Sequence, residues 1–253
     1  MIKFFRKIRQ KLIEQKKVQN YFLYAIGEIV LVVIGILIAL QINNNNESNK
    51  LRKQELKYLK NIKTDLIINI KELKSFINIR TESIKNAQTI IAHFEGKPIL
   101  DYDEFNLLGT QIYNWQKFTS NNNTFQELLN SGNLAIISND SIKNTLLNID
   151  ALYKKLKSEE EHYRFDTEEL IYKPLYETMD LNPLVRNYLY TISSDKKGEK
   201  PIVDAKYFEE YLKQTKLKNG FLMTTLEFSV MNEQMQGMLD MSEQLILLID
   251  KEK

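Results

Sequence analysis

The sequence predicts an all-α protein, with one N-terminal transmembrane helix followed by an elongated extracytoplasmic helical bundle. Three observations carry that expectation. Residues 21–42 form an apolar run of 22 residues interrupted by one charge, Glu28. From Glu47 onward, apolar residues recur at steps of three and four, the period of a helix face. No alternating run of β-branched residues reaches strand length between turn signals, with "NLAIIS" at 133–138 the one exception allowed.

Residues 1–20 read as a basic cytoplasmic tail. They hold Lys3, Arg6, Lys7, Arg9, Lys11, Lys16 and Lys17 against one acid, Glu14. Because the whole chain is only +2, everything from Tyr21 onward is net acidic. The cations are therefore a local membrane signal, and a nucleic-acid footprint is excluded. Phe5, Ile8 and Leu12 fall at helical spacing among them, which suits a helix lying on an anionic leaflet. A plain positive flank that happens to be helical is the alternative.

Residues 21–42 read as the transmembrane helix. At ~1.5 Å per residue the run covers roughly 33 Å, against a hydrocarbon core of ~30 Å. A secretory signal has a shorter apolar region, of ~7–15 residues, and a small-x-small cleavage site. "IALQINNNN" offers no convincing one, so the segment reads as an uncleaved anchor. Basic residues are retained inside, and the flank before the span outweighs Lys50, Arg52, Lys53 and Lys57 behind it. The expected address is the bacterial inner membrane, with the N-terminus cytoplasmic and residues 43–253 outside.

Glu28 sits ~5 Å to the cytoplasmic side of the midpoint of the span. An ionised residue at the centre costs about 2.5–3.5 kcal/mol, which the surrounding Ile, Leu and Val offset. At ~100° per residue, Gly35 and Ala39 flank the direction of Glu28 by about 20° on either side. Gly35 and Ala39 are spaced as a small-x-x-x-small pair, which lets two helices approach closely in lipid. Glu28, Gly35 and Ala39 are thus the candidate intramembrane helix contact, with a second copy or with another membrane protein. The plainer alternative is a Glu28 that snorkels to the near interface beside incidental small residues.

"NNNNESN" is expected to break or fray the membrane helix, with Asn46 or Ser48 capping a new one. That second helix runs to about Phe94 on Leu51, Leu59, Ile62, Leu66, Ile70, Leu73, Ile77, Ile84, Ala87 and Ile91, and "EGKP" ends it. Asp101 and Glu104 stand at capping-box spacing before another helix. A short helix is capped near Asn123 or Thr124 and closes at Gly132. A long one starts near Asn139, carries Ile142, Leu146, Ile149, Tyr153, Leu156, Tyr163 and Leu170, and is terminated or kinked by Pro174. A loop region holding Pro183 and "SSDKKGEKP" follows, then a helix from Asp204 to about Lys216. Asn219 and Gly220 separate it from a last long helix on Leu222, Leu226, Val230, Met238, Met241, Leu245 and Leu248. The whole reads as an up-and-down bundle around three long helices.

Three blocks, "MIKFFRKIRQKLI", "YAIGEIVLVVIGILIALQINN" and "TFQELLNSGNLAIISNDSIKNTLL", resemble an uncharacterised family of single-pass membrane proteins common in Bacteroidota. The resemblance covers nearly the whole chain. Where members often carry Trp after "INN", this sequence continues with Asn45 and Asn46. It implies a membrane-anchored helical domain of no established role, makes Glu28 part of a recurring block, and adds no catalytic residue.

The residues that carry chemistry are sparse. There is no Cys, which removes thiol nucleophiles, thiolate ligands and disulfides. Two histidines remain, His93 and His162. Glu159 and His162 have the Glu-x-x-His spacing of bundle di-iron sites, but His93 has Ile90 where a second motif needs a Glu. A site made of His162 and Asp166 is weighed against a solvated charged face, which is preferred. "NSGNL" lacks the nucleophile-elbow pattern, and phosphate-cradling loops are absent. Tyr113, Trp115 and Phe118 are either an exposed aromatic patch or, as preferred, a core cluster. The expected function is a membrane-anchored interaction or sensing module without catalytic activity or cofactor. Its partners are the lipid bilayer and a homo-oligomer or membrane protein, with no nucleic acid. The alternative is a structural subunit of an inner-membrane complex assembled through the span.

Overall fold

Four consecutive asparagines are poor helix material, yet residues 43–46 lie inside one unbroken helix, α1, Val18–Phe94, of 77 residues. The expected break and the new cap at Asn46 or Ser48 are not there. Nucleation is the costly step in helix formation, and a helix established on both sides propagates through a ~2 kcal/mol propensity penalty. Neither Gly nor Pro stands in the Asn run to remove a hydrogen bond.

The computed structural model describes residues 7, 18–112, 116–196 and 200–252. The amphipathic reading of Phe5, Ile8 and Leu12, and the aromatic readings of Tyr113 and Trp115, lie outside them. Two compact units divide the chain, Met1–Lys57 and Tyr58–Lys253. In the first, the described residues from Val18 onward are helical. The most apolar 18-residue window of α1 has none of its residues buried, and α1 is long and apolar enough to cross a membrane. Leu31, for example, is 70% exposed.

Every regular element among the described residues of the second unit is a helix or helical turn. After α1 come α2, Tyr102–Ile112, and α3, Asn123–Asn130. A 3-10 turn, Asn133–Ile136, stands where a strand was the one exception allowed. It is followed by α4, Asp140–Thr167, a π-helical turn, Glu168–Tyr172, and α5, Lys173–Thr178. Then come α6, Leu181–Ile192, and α7, Ala205–Phe208. The chain ends in a 3-10 turn, Tyr211–Lys213, and α8, Thr215–Asp250.

Three layers of core show how the long helices run. Leu59 and Ile62 of α1 pack with Ile142 of α4 and Ile249 of α8. Leu73 packs with Leu156 and Met235, and Ile90 with Ile171 and Phe221. So α1 and α4 run parallel and α8 runs against both. A simple up-and-down order is replaced by a crossover, in which residues 116–122 and α3 bring the chain back to the layer of Leu59 before α4 begins.

The seam between these helices alternates steps of three and four, the heptad pattern of left-handed helix packing. On α8 its buried positions are Leu217, Phe221, Thr224, Phe228, Met231, Met235, Met238, Ser242, Leu245 and Ile249. The expected stripe on α8 is misplaced in its first half, where Leu222, Leu226 and Val230 face outward, and holds in its second, where Met238 and Leu245 are buried and Met241 and Leu248 half-buried. On α1 the seam is Leu59, Ile62, Leu66, Asn69, Leu73, Arg80, Ser83, Ala87 and Ile90, while the predicted Ile70, Ile77, Ile84 and Ile91 are half-buried beside it.

Arg80 and Glu160, 4% and 1% exposed, meet across that seam. Arg80 Nη2 donates to Glu160 Oε1 at 2.7 Å, and the guanidinium lies 5.6 Å from the ring centroids of both Phe76 and Phe228. Burial pulls the Arg80 pKa below its ordinary value, opposed by the hydrogen bond and charge of Glu160. Glu160 also accepts the Phe118 N–H at 2.9 Å, and Lys157 bridges Glu160 Oε2 and the Phe118 carbonyl at 3.0 and 2.7 Å. The crossover is thereby fastened at Phe118. That ring is core, edge-on to Phe76 and Tyr153, and not an exposed patch.

Caps follow the predicted residues in part. Asp101 Oδ1 accepts the Asp103 and Glu104 N–H groups, and Asn139 those of Ser141 and Ile142. At α3 the cap comes from another helix, because Asp65 Oδ2 of α1 accepts the Thr124 hydroxyl at 2.7 Å. Pro183 lies within α6, which Asp180 caps, so that stretch is no loop. Asp204 does cap a helix, but it is the four-residue α7, well short of Lys216.

Asn219 and Gly220 are interior to α8 and separate nothing. A Cβ built on Gly220 would stand 2.5 Å from Ile171 Cγ1 and 3.1 Å from Leu170 Cβ, so the glycine lets the π-helical turn press onto α8. Pro174 is the second residue of α5, and the regular helix ends at Thr167, before it. Its missing N–H cannot bond back to the preceding turn, consistent with the widened turn there.

Gly220→Ala is expected to cost about 1–3 kcal/mol by overpacking, more than the ~1 kcal/mol it gains in helix propensity. Gly237→Ala meets only Leu152 Cδ1 at 3.4 Å, so it is expected to raise or leave unchanged the urea midpoint that Gly220→Ala lowers. Removing either partner of the buried ion pair, by Arg80→Met or Glu160→Met, is expected to cost about 3–5 kcal/mol. The double variant should lose less than the sum, and simple additivity in denaturation would contradict the coupling.

Candidate functional site

In the first unit, Glu28 is half-buried, and Gly35 and Ala39 are exposed on the same helix. Apart from its chain neighbours and the backbone of its own helix, no described residue comes within 4 Å of a Cβ built on Gly35. A shallow concavity beside this stripe is lined by Ala25, Glu28, Ile29, Val32 and Val33.

In the second unit the structure assembles a cluster that the sequence showed only by half. His162 and Asp166 share one face of α4, being four residues apart, and α8 presents Glu227 to them. His162 Nε2 lies 3.6 Å from Glu227 Oε1 and 3.9 Å from Asp166 Oδ2. The three ligand-type atoms all fall within 4.8 Å of one another. His162 is exposed, Asp166 half-buried, and Glu227 only 7% exposed. Neither carboxylate oxygen of Glu227 receives a hydrogen bond.

Glu227 was missed because its partners are some sixty residues away and its own surroundings, "TTLEFSV", carry no ligand pattern. The signal that was available is positional: it lies next to the α8 seam, one residue before Phe228. Glu159, whose spacing to His162 was set aside for want of a second Glu-x-x-His motif, is not one of the three. Glu159 contributes only a like charge near Glu227. His93 is occupied elsewhere, its Nδ1 2.8 Å from the Lys97 carbonyl oxygen and its ring edge-on to Phe105.

The electrostatics of Glu227 are unfavourable as they stand. Burial, then the negative charge of Asp166 and the hydrogen bond that a protonated Glu227 gives it, then the charge of Glu159, push its pKa up to about 8. Behind it lies Tyr163, whose phenol burial also pushes upward. Chemically, one imidazole nitrogen and two carboxylates make a mixed N/O donor set, of the kind that holds a divalent transition metal.

A second concavity of about 340 Å³ opens beside the π-helical turn, where Tyr172 and Tyr176 face Phe105, Leu184, Phe208 and Tyr211. Burial pushes the Tyr172 phenol up to about 12. Its floor is braced by Asn106, which donates to the Leu184 carbonyl and to Asn187 Oδ1 at 2.9 and 3.0 Å.

The raised pKa of Glu227 fixes a sign. Below the ordinary value of 4.5 both folded and unfolded chains hold the proton, and between 4.5 and about 8 only the folded chain keeps it. That contribution to stability is lost as pH rises through the folded value. In a chelating buffer, Glu227→Gln is therefore expected to melt higher than the parent at pH 9, by on the order of 2 kcal/mol, with the gap closing toward pH 5. Asp166, Glu159, His162 and Tyr163 face the same carboxyl, so the measurement is a difference between the two chains at each pH.

A family model described as a family of unknown function, DUF6090, matches residues 28–179, more than half of the chain. No curated protein and no solved structure matches it. The matched stretch takes in Glu28, Arg80, Glu160, His162 and Asp166 and ends before α8 and Glu227. The chain belongs to the DUF6090 family, whose function is unknown.

Proposed function

We propose that this protein is a single-pass membrane-anchored interaction or sensing module, not an enzyme, whose helical bundle works outside the cytoplasm. The observation that carries the reading is the exposed apolar stretch of α1. Its most apolar 18-residue window has no buried residue. About 25 cal/mol of hydrophobic free energy per Å² of such surface opposes its exposure to water, and a bilayer relieves that. The seven cations of the first twenty residues orient the anchor with its N-terminus inside a bacterial inner membrane.

The anchor's contact is the stripe of Glu28, Gly35 and Ala39. Open space at Gly35 supports close approach by a second helix, from another copy or from a different membrane protein. A structural subunit of a membrane complex would use the same stripe.

The full chain is expected in the carbonate-washed membrane fraction, with a C-terminal alkaline phosphatase fusion active and a C-terminal fluorescent-protein fusion dark. Recovery in the soluble fraction at full mass would overturn the anchor. Gly35→Ile is expected to abolish self-association in a membrane two-hybrid, and unchanged association would remove the homo-oligomer.

A further inference from the structure

The geometry points to a binding site for one divalent transition-metal ion, of the Zn²⁺ kind, held by His162 Nε2, an Asp166 oxygen and a Glu227 oxygen. Such a site clips α4 to α8. Three independent observations support it.

The donor atoms are already gathered. A tetrahedral site with bonds of ~2.0–2.2 Å sets its ligand atoms ~3.4 Å apart. Here His162 Nε2 lies 3.6 Å from the Glu227 oxygen and 3.9 Å from the Asp166 oxygen, and no pair exceeds 4.8 Å. Closing that gap needs small rotations of side chains, and the exposed His162 is free of tight packing.

The innermost ligand meets no N–H or O–H donor of another residue within hydrogen-bonding distance, and the carboxyl beside it is Asp166 of the same cluster. Glu227 is 93% buried and both of its oxygens lack a hydrogen bond, whereas buried carboxylates are ordinarily paired and bonded. A +2 ion between Glu227 and Asp166 would cancel both negative charges and satisfy the buried oxygen directly.

The donors also stand on rigid supports. His162 and Asp166 sit one turn apart on the 28-residue α4, and Glu227 lies within the 36-residue α8. Remaining coordination positions face solvent on the side of His162. Because only residues of the second unit take part, the ion would bind whether or not α1 spans a bilayer.

The test uses the full chain purified in detergent, stripped with EDTA and titrated with Zn²⁺ alone against a chromophoric chelator. One Zn²⁺ per chain is expected, with affinity at least tenfold weaker in Glu227→Gln and in His162→Asn. Glu159→Gln, near the site but outside the donor set, should change it less than twofold. Co²⁺ substituted for Zn²⁺ should give visible absorption of low-symmetry coordination that both ligand variants lose. Helical circular dichroism checks that each variant is folded. Absence of stoichiometric binding, or binding indifferent to Glu227→Gln and His162→Asn, would overturn the site and leave a shared proton between Asp166 and Glu227 as what holds the cluster.

Discussion

The pairing of Arg80 with Glu160 constrains most of the second unit. A seam repeating every seven residues is nearly degenerate, because sliding one helix by a heptad again matches apolar layers with apolar layers. A charged pair in a single layer removes that degeneracy, since any slip leaves a guanidinium and a carboxylate facing Leu, Met or Phe. Glu160 also reaches the crossover through the Phe118 N–H, with Lys157 on the Phe118 carbonyl. Helix register and the path of the connection are thus set by one carboxylate and the two cations beside it.

How much of this was legible follows from the same chemistry. The long helices were readable because their periodicity survives replacement of a few apolar positions. Which face is buried was harder. Asn69, Arg80 and Ser83 occupy the seam of α1, and a count of apolar residues passes over them in favour of the neighbouring Ile70, Ile77 and Ile84. Met, Thr and Ser do the same on α8, where Leu222, Leu226 and Val230 offered a more hydrophobic but outward row. Asn69 and Arg80 have tertiary partners, Asn69 pairing with both the N–H and the carbonyl of Asn121 at 2.8 and 2.9 Å, while Ser83, Thr224 and Ser242 donate to carbonyls one turn back on their own helices. Such partners are not visible one residue at a time.

Breakers misled for a related reason. Gly220 was read locally as a boundary, yet its missing side chain serves a contact with Ile171 from another element. The Asn run was read as a stop, yet a helix already nucleated crosses it. Asp65 caps α3 from α1, a relation no local cap rule contains. Signals that act within a few residues, such as Asn139 and Asp101 on their own first turns, were read correctly, because the hydrogen bond they make is with the sequence that displays them.

Two buried glutamates of the same bundle make the final contrast. Glu160 is 1% exposed and is met by a guanidinium, an ammonium and a backbone N–H, so its charge is balanced within the chain. Glu227 is 7% exposed and is met by Asp166, by Glu159 nearby, and by one imidazole at 3.6 Å. Packing alone does not require a carboxyl there, since Gln or Met fills a similar volume. The low-dielectric interior makes an unbalanced carboxylate costly, so some positive charge has to come from outside the fold, as a proton or as a cation. A proton shared between the two carboxyls leaves His162 without a part in the cluster. The convergence of His162 with the two carboxylates from separate helices is the feature that a cation explains and a proton does not.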